Sequence, residues 1–146
     1  DWTSEPELVG RSLCDWDDLR ALSRSGIEIG AHTRTHPRLT MLPPEEAREE
    51  IVGSKADLER ELDQAVEVFS YPHGDCNPAV EAMAEEAGFV CSCGVRSGLN
   101  GVGAPIQRLY RTEIFGTDTL PIFAAKLRTG SSEALGSKRR AKRALG

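Results

Sequence analysis

The chain has 146 residues, 39% of them hydrophobic and 28% charged, and a formal net charge of −5. That length allows one domain with a core of its own, and the composition excludes low-complexity and fibrous classes. No apolar run approaches the roughly 18 residues a bilayer span needs, and no signal-peptide pattern opens the chain. The first residue is Asp1 rather than Met, so the chain is expected to be processed or part of something longer.

In chain order, Asp15 is placed to cap a helix whose Trp16, Leu19 and Leu22 share one face, with Gly26 to end it. Ile27-Glu28-Ile29-Gly30-Ala31 reads as a short strand running directly into His32. Pro43-Pro44-Glu45-Glu46 starts a second helix, with proline in its first turn and acids at the positive end of its dipole. Ala47, Ile51, Leu58 and Leu62 recur at helical spacing as far as Asp63. Val66 to Ser70 is the next strand, and it runs into Tyr71-Pro72-His73-Gly74-Asp75.

Asn77-Pro78 opens a third helix, with Val80, Met83, Ala84 and Ala87 on one side and Gly88 as its stop. Phe89 to Cys93 is a third strand. A glycine-rich loop from Ser97 to Ala104, a strand near Arg111 to Phe115 and a helix from Leu120 to Leu127 complete the pattern. Helix–strand alternation with short links predicts a parallel α/β sheet, open or closed into a barrel. Such folds place their chemistry at the carboxyl ends of the strands. Here two successive strands end in loops that contain histidine and proline.

The four cysteines, Cys14, Cys76, Cys91 and Cys93, form no Cys-x-x-Cys pair. Cys91 and Cys93 alternate as strand residues do and share one face, so reduced thiols in a core strand are expected. Past Thr129-Gly130-Ser131-Ser132, the run Lys138 to Arg143 holds five cations in six residues. It reads as a solvated tail, with nucleic acid or anionic lipid as the rival partner.

His32 and His36 stand four apart in Gly30-Ala31-His32-Thr33-Arg34-Thr35-His36-Pro37. β-branched Thr33 and Thr35 and the following Pro37 favour a loop or single turn over a long helix. Either shape can bring two imidazoles to one divalent ion at about 2.0–2.1 Å. The spacing also suits two surface histidines of a polar loop, but their place at a strand end favours metal. His73 and Asp75 lie in the next strand-end loop, within reach as a third ligand. Asp17 and Asp18, at a helix start, are read as serving its dipole.

These segments, with Trp16-Asp17-Asp18-Leu19 ahead of them and Phe69-Ser70-Tyr71-Pro72-His73-Gly74 and Ala87-Gly88-Phe89 behind, resemble the polysaccharide deacetylase family (NodB-homology, carbohydrate esterase family four) over residues 8 to 116. The resemblance implies a distorted (β/α) barrel, here incomplete at its N-terminus, with residues 1–129 as the C-terminal part of the catalytic domain and 130–146 as the tail. It implies metal-dependent removal of acetyl groups from N-acetylated or O-acetylated oligo- or polysaccharide. His32 and His36 match the two histidine ligands of a divalent metal, zinc first and Co²⁺, Ni²⁺ or Mn²⁺ as substitutes. Thr33 matches a position whose hydroxyl holds the loop between them. Tyr71, Pro72 and His73 match the wall of the substrate groove, with the His73 backbone N–H beside the metal as an oxyanion donor.

The sequence departs from the family pattern in four places. The Thr-Phe-Asp-Asp motif, which supplies a carboxylate ligand and a general base, belongs upstream of residue 8 and has no match here. Ser70 stands where the family has arginine, and His73 where it has an aromatic residue. No Leu-x-His motif follows His73 to supply a general acid. The chain alone is therefore expected to be weakly active or inactive. The alternative is a degenerate domain that binds carbohydrate or metal without turnover.

Overall fold

Each α-helix among the described residues begins where the sequence supplies a side-chain cap or a proline in the first turn. The computed structural model of the chain describes residues 13–131. Helix α1 (Trp16–Arg24) starts on Asp15, whose carboxylate accepts the Asp18 N–H while the Asp18 carboxylate accepts the Asp15 N–H. That reciprocal box satisfies two donors the helix end would otherwise leave open. Asp17 pairs with Arg20 at 2.8 Å, so both acids serve the helix, as expected. Helix α2 (Pro44–Leu62) opens on proline and ends on Asp63 in the left-handed conformation. Helix α3 (Pro78–Glu86) is capped by Asn77, which accepts the Ala79 and Val80 N–H groups. Helix α4 (Leu120–Thr129) ends on left-handed Gly130.

The sheet is parallel and open. Strand β1 (Val68–Ser70) pairs with β2 (Cys91–Cys93), with Phe69 opposite Ser92. Ala31 bridges to Phe69 on the outer side of β1, and Leu109 bridges to Cys93 on the outer side of β2. Four chain segments thus run side by side in one direction, and the loops after Ala31 and after β1 leave from the same end.

Two expected strands shrink to single bridges. In 27–31, only Ala31 exchanges ladder hydrogen bonds, accepting from Ser70 and donating to Val68. The Ile27 N–H is turned back to the Leu22 carbonyl, so the segment's start belongs to the end of α1. The fourth strand, expected near Arg111 to Phe115, falls at Leu109, which donates to Ser92 and accepts from Gly94. Phe115 and Asp118 instead close a turn, the Phe115 N–H donating to the Asp118 carboxylate.

The core lies on one face of the sheet, under α2 and α3. Ala31, Phe69 and Ser92 point into it and are buried, joined by Ile51, Val66, Val80, Met83 and Phe89. Phe69 meets Tyr71 edge-on at 5.2 Å between ring centroids and Phe89 at 5.0 Å. Burying a side chain of this size is worth about 1.5–3 kcal/mol. The polar atoms inside are partnered: Ser92 Oγ donates to Gln107 Oε1, Gln107 Nε2 to the Phe89 carbonyl, and the Tyr71 hydroxyl to the Gln107 carbonyl.

The other sheet face carries Val68, Ser70, Cys91 and Cys93, all half-buried. The two cysteines share a face as expected, but Ser92 takes the fully buried side. All four thiols are free. Gly130, placed by the sequence in the tail, is buried against Gly98, and residues 132–146, with the basic run, lie outside the described residues. Among the described residues no helix is long and apolar enough to cross a membrane.

Candidate functional site

All three histidines meet at the carboxyl end of the sheet. Ala31 is locked to β1, so the next residue, His32, projects from the strand end beside Ser70. The His32 ring lies 4.8 Å from the His36 ring, and the His36 ring 4.6 Å from that of His73, each pair edge to face. The His32 Nδ1 lies 2.6 Å from the Ser70 carbonyl oxygen. A carbonyl can only accept, so Nδ1 carries the proton and Nε2 keeps its lone pair for a ligand. Partial burial holds the His32 imidazole below its usual 6.5, and the nearby charges of His36, Arg111 and His73 act the same way; the Ser70 bond opposes them. A neutral ring is the form that binds a metal.

The backbone here is strained. Thr33, His36 and His73 have φ of 64°, 60° and 58°, a region that non-glycine residues enter at a cost of about 1–3 kcal/mol each. Thr33 helps hold this shape, its Oγ1 accepting the His36 N–H at 3.1 Å. Glu50 of α2 holds it from below. One carboxylate oxygen accepts the Arg34 and Thr35 N–H groups at 2.8 and 2.9 Å, and the other accepts the Thr35 hydroxyl at 2.7 Å. Partial burial would raise the Glu50 pKa, but these hydrogen bonds outweigh it and hold the carboxyl below its usual 4.5.

Arg34 crosses α2 at Gly53, where a Cβ would lie 2.4 Å from its guanidinium carbon, and ends on Asp57 at 2.7 Å. Neither Glu50 nor Asp57 was singled out by the sequence. The available signal was helical phase: Glu50 sits beside Ala47, Ile51 and Ser54, the buried side of α2.

The remaining expected residues divide. His73 joins the histidine group. Asp75 turns away, its carboxylate accepting the Thr40 N–H at 2.9 Å and the Thr40 hydroxyl at 2.8 Å, so it ties down the neighbouring turn. Tyr71 and Pro72 are buried and shape the loop from beneath; burial pushes the Tyr71 phenol up to about 12. Arg108 pairs with Glu81 at 2.5 Å, whereas Arg111, tied to the Gly94 carbonyl, lies near enough for its charge to act on His32. Ser70 Oγ is buried and has no hydrogen-bond partner among the described residues.

An open groove of about 340 Å³ runs beside this loop, lined by Trp16, Gly30, His32, Thr33, Asp57 and Leu58. The two imidazoles on a strand-end loop, one with its tautomer fixed, suit a divalent ion as two of its ligands. Among the described residues no group of three His, Cys, Asp or Glu side chains is arranged to hold one.

The polysaccharide deacetylase family model matches residues 3–92. YxkH of Bacillus subtilis (strain 168), a polysaccharide deacetylase by name, is 24% identical over 112 residues, which cover 73% of this chain and 40% of YxkH. Among solved structures, the deacetylase PplD of Streptococcus pyogenes in complex with acetate superposes with a TM-score of 0.70 at 21% identity, over 76% of this chain and 49% of that one. BC0361, a polysaccharide deacetylase from Bacillus cereus, gives 0.69 at 23% identity, over 80% of this chain and 37% of that one. These structural likenesses show a shared fold, and the chain spans less than half the length of each of these relatives.

Proposed function

Because this chain belongs to the polysaccharide deacetylase family, we propose that it contributes to a metal-dependent hydrolase that removes acetyl groups from N-acetylated or O-acetylated carbohydrate. In the N-acetyl case the bond cleaved is a non-peptide carbon–nitrogen bond. One observation carries the reading: the His32 and His36 rings lie edge to face with centroids 4.8 Å apart, and the Ser70 carbonyl holds the His32 proton on Nδ1. The acetate held by the streptococcal deacetylase, the acid that deacetylation releases, is consistent with it.

His32 and His36 would hold the ion, zinc by donor type, with Co²⁺, Ni²⁺ or Mn²⁺ as substitutes. When bound, such an ion supplies Lewis acidity toward the acetyl carbonyl and lowers the pKa of its water. The chain's own groups do the rest. Thr33 keeps His36 in place through its backbone N–H. The His73 backbone N–H is the donor for the developing oxyanion, a role whose removal costs about 10²–10³ in rate in other enzymes. Tyr71 and Pro72 act through the shape they give this loop.

The carboxylate ligand and the general base would come from outside residues 13–131, since Asp75 is committed to Thr40. Ser70 and His73, which depart from the family pattern, favour a second reading, in which the domain binds carbohydrate or metal without turnover. Acetate release from N-acetyl-chitooligosaccharides decides between them. With zinc, the full-length protein is expected to release acetate and His32→Ala to abolish it, while residues 1–146 alone stay weakly active or inactive. Zinc or glycan binding by the full-length protein without acetate release would overturn the hydrolase reading in favour of the second.

A further inference from the structure

Glu50 has no part in the ligand set, and yet it is the side chain with the most bonds to the loop between the two histidines. The loop has two adjacent amide donors, on Arg34 and Thr35, and both point at the same carboxylate oxygen. The second oxygen takes the Thr35 hydroxyl, so every bond Glu50 makes here falls between His32 and His36. Left-handed Thr33 and His36 bracket this stretch, and a conformation of that kind persists only where the surroundings over-determine it. The supports are unequal. The Thr33–His36 bond is internal to the loop and moves with it, whereas Glu50 is fixed to α2, whose Ala47, Ile51, Gly53 and Ser54 are buried. Arg34 adds a second attachment to the same helix, lying over Gly53 to reach Asp57.

We propose that Glu50 is the positioning residue for metal capture: its carboxylate fixes the 33–36 loop to α2, so that the His32 and His36 rings are already side by side before an ion arrives. This rests on the metal reading above and adds to it a residue that touches neither metal nor substrate. A preset pair of imidazoles binds more tightly than a mobile pair because ordering is not subtracted from the binding free energy.

The test combines zinc titration of the full-length protein with amide exchange of its zinc-free form. Glu50→Ala is expected to weaken zinc binding by about 10–100-fold, the range seen when an outer partner of a metal ligand is removed. Exchange at the Arg34 and Thr35 amides rises by about tenfold or more, while the Tm of the zinc-free protein moves little. Glu50→Gln, whose amide oxygen still accepts the N–H groups, falls between Glu50→Ala and the parent. Arg48→Ala, which breaks the pair between Arg48 of α2 and Glu86 of α3, leaves both readouts unchanged.

Parent-like zinc affinity and parent-like exchange in Glu50→Ala would overturn the proposal, as would an equal loss in Arg48→Ala. If Glu50→Ala does not fold, Glu50→Gln decides, and identity with the parent in both readouts overturns it. If the parent itself takes up no zinc, the metal reading fails separately. The exchange measurement then judges the loop on its own: amides that stay protected without Glu50 sink the proposal.

Discussion

The two loops that leave the carboxyl end of the sheet are built in opposite ways. The loop after β1 is held from within: Tyr71 and Pro72 are buried and the Tyr71 hydroxyl reaches the Gln107 carbonyl. The loop after Ala31 is held from outside, by Glu50 and by Arg34 on Asp57, all within reach of water. Both present a histidine from left-handed backbone, so the same strain is supported once by packing and once by charged hydrogen bonds. The contrast teaches that the first loop is coupled to global stability, and the second is set by a local clasp that can fail while the core stands.

The largest expected effect lies in the covered loop. Tyr71→Ala removes a fully buried ring and should cost about 3–5 kcal/mol in urea unfolding. A loss below about 1 kcal/mol would put this loop in the same class as the other. Tyr71→Phe keeps the ring but strips the Gln107 carbonyl of its buried donor, for about 1–2 kcal/mol. In the exposed loop, Thr35→Val should change global stability by no more than about 0.5 kcal/mol while exchange at the 34–36 amides rises. A Thr35→Val cost as large as that of Tyr71→Phe would erase the distinction.

The finest test uses pH, because the two anchors titrate at opposite ends. The Tyr71 phenol is raised to about 12 from an ordinary 10, so its contribution is intact below pH 10 and is lost as pH climbs toward 12. The Glu50 carboxyl is lowered from 4.5, so its contribution is intact above pH 4.5 and is lost as pH falls through the folded value. The stability difference between the parent and Glu50→Gln should therefore shrink on acidification. The difference between the parent and Tyr71→Phe should change only in alkali. Urea midpoints across both ranges check this, and matching pH profiles for the two variants would contradict it.

Much of this was legible in the sequence where the cause is local. Asp15, Pro44 and Asn77 mark helix starts because a cap or a proline acts within its own turn. The histidine cluster was legible because parallel α/β strands end on one side. What local pattern cannot decide is which N–H a segment offers to the sheet. Ile27 returns its own to α1, and Leu109 occupies the position expected for Arg111 to Phe115. The burial of Tyr71 was available from strand alternation, since Phe69 points inward and Tyr71 follows two residues later. Glu50 was hidden because its partners lie fifteen and sixteen residues away, on a loop whose path no local signal gives.

The left-handed residues carry a consequence for how such a sequence evolves. At His36 and His73 glycine would adopt the observed backbone more easily than the residue present. At Thr33 glycine would ease the same conformation and remove only one hydrogen bond. A library selected purely for heat resistance should therefore drift toward glycine at these three positions, erasing both imidazole pairs as it does so. Retaining His36 requires a selection that heat resistance does not apply, and a parallel library screened for zinc uptake should keep this imidazole, whereas glycine at 73 would still offer the backbone N–H.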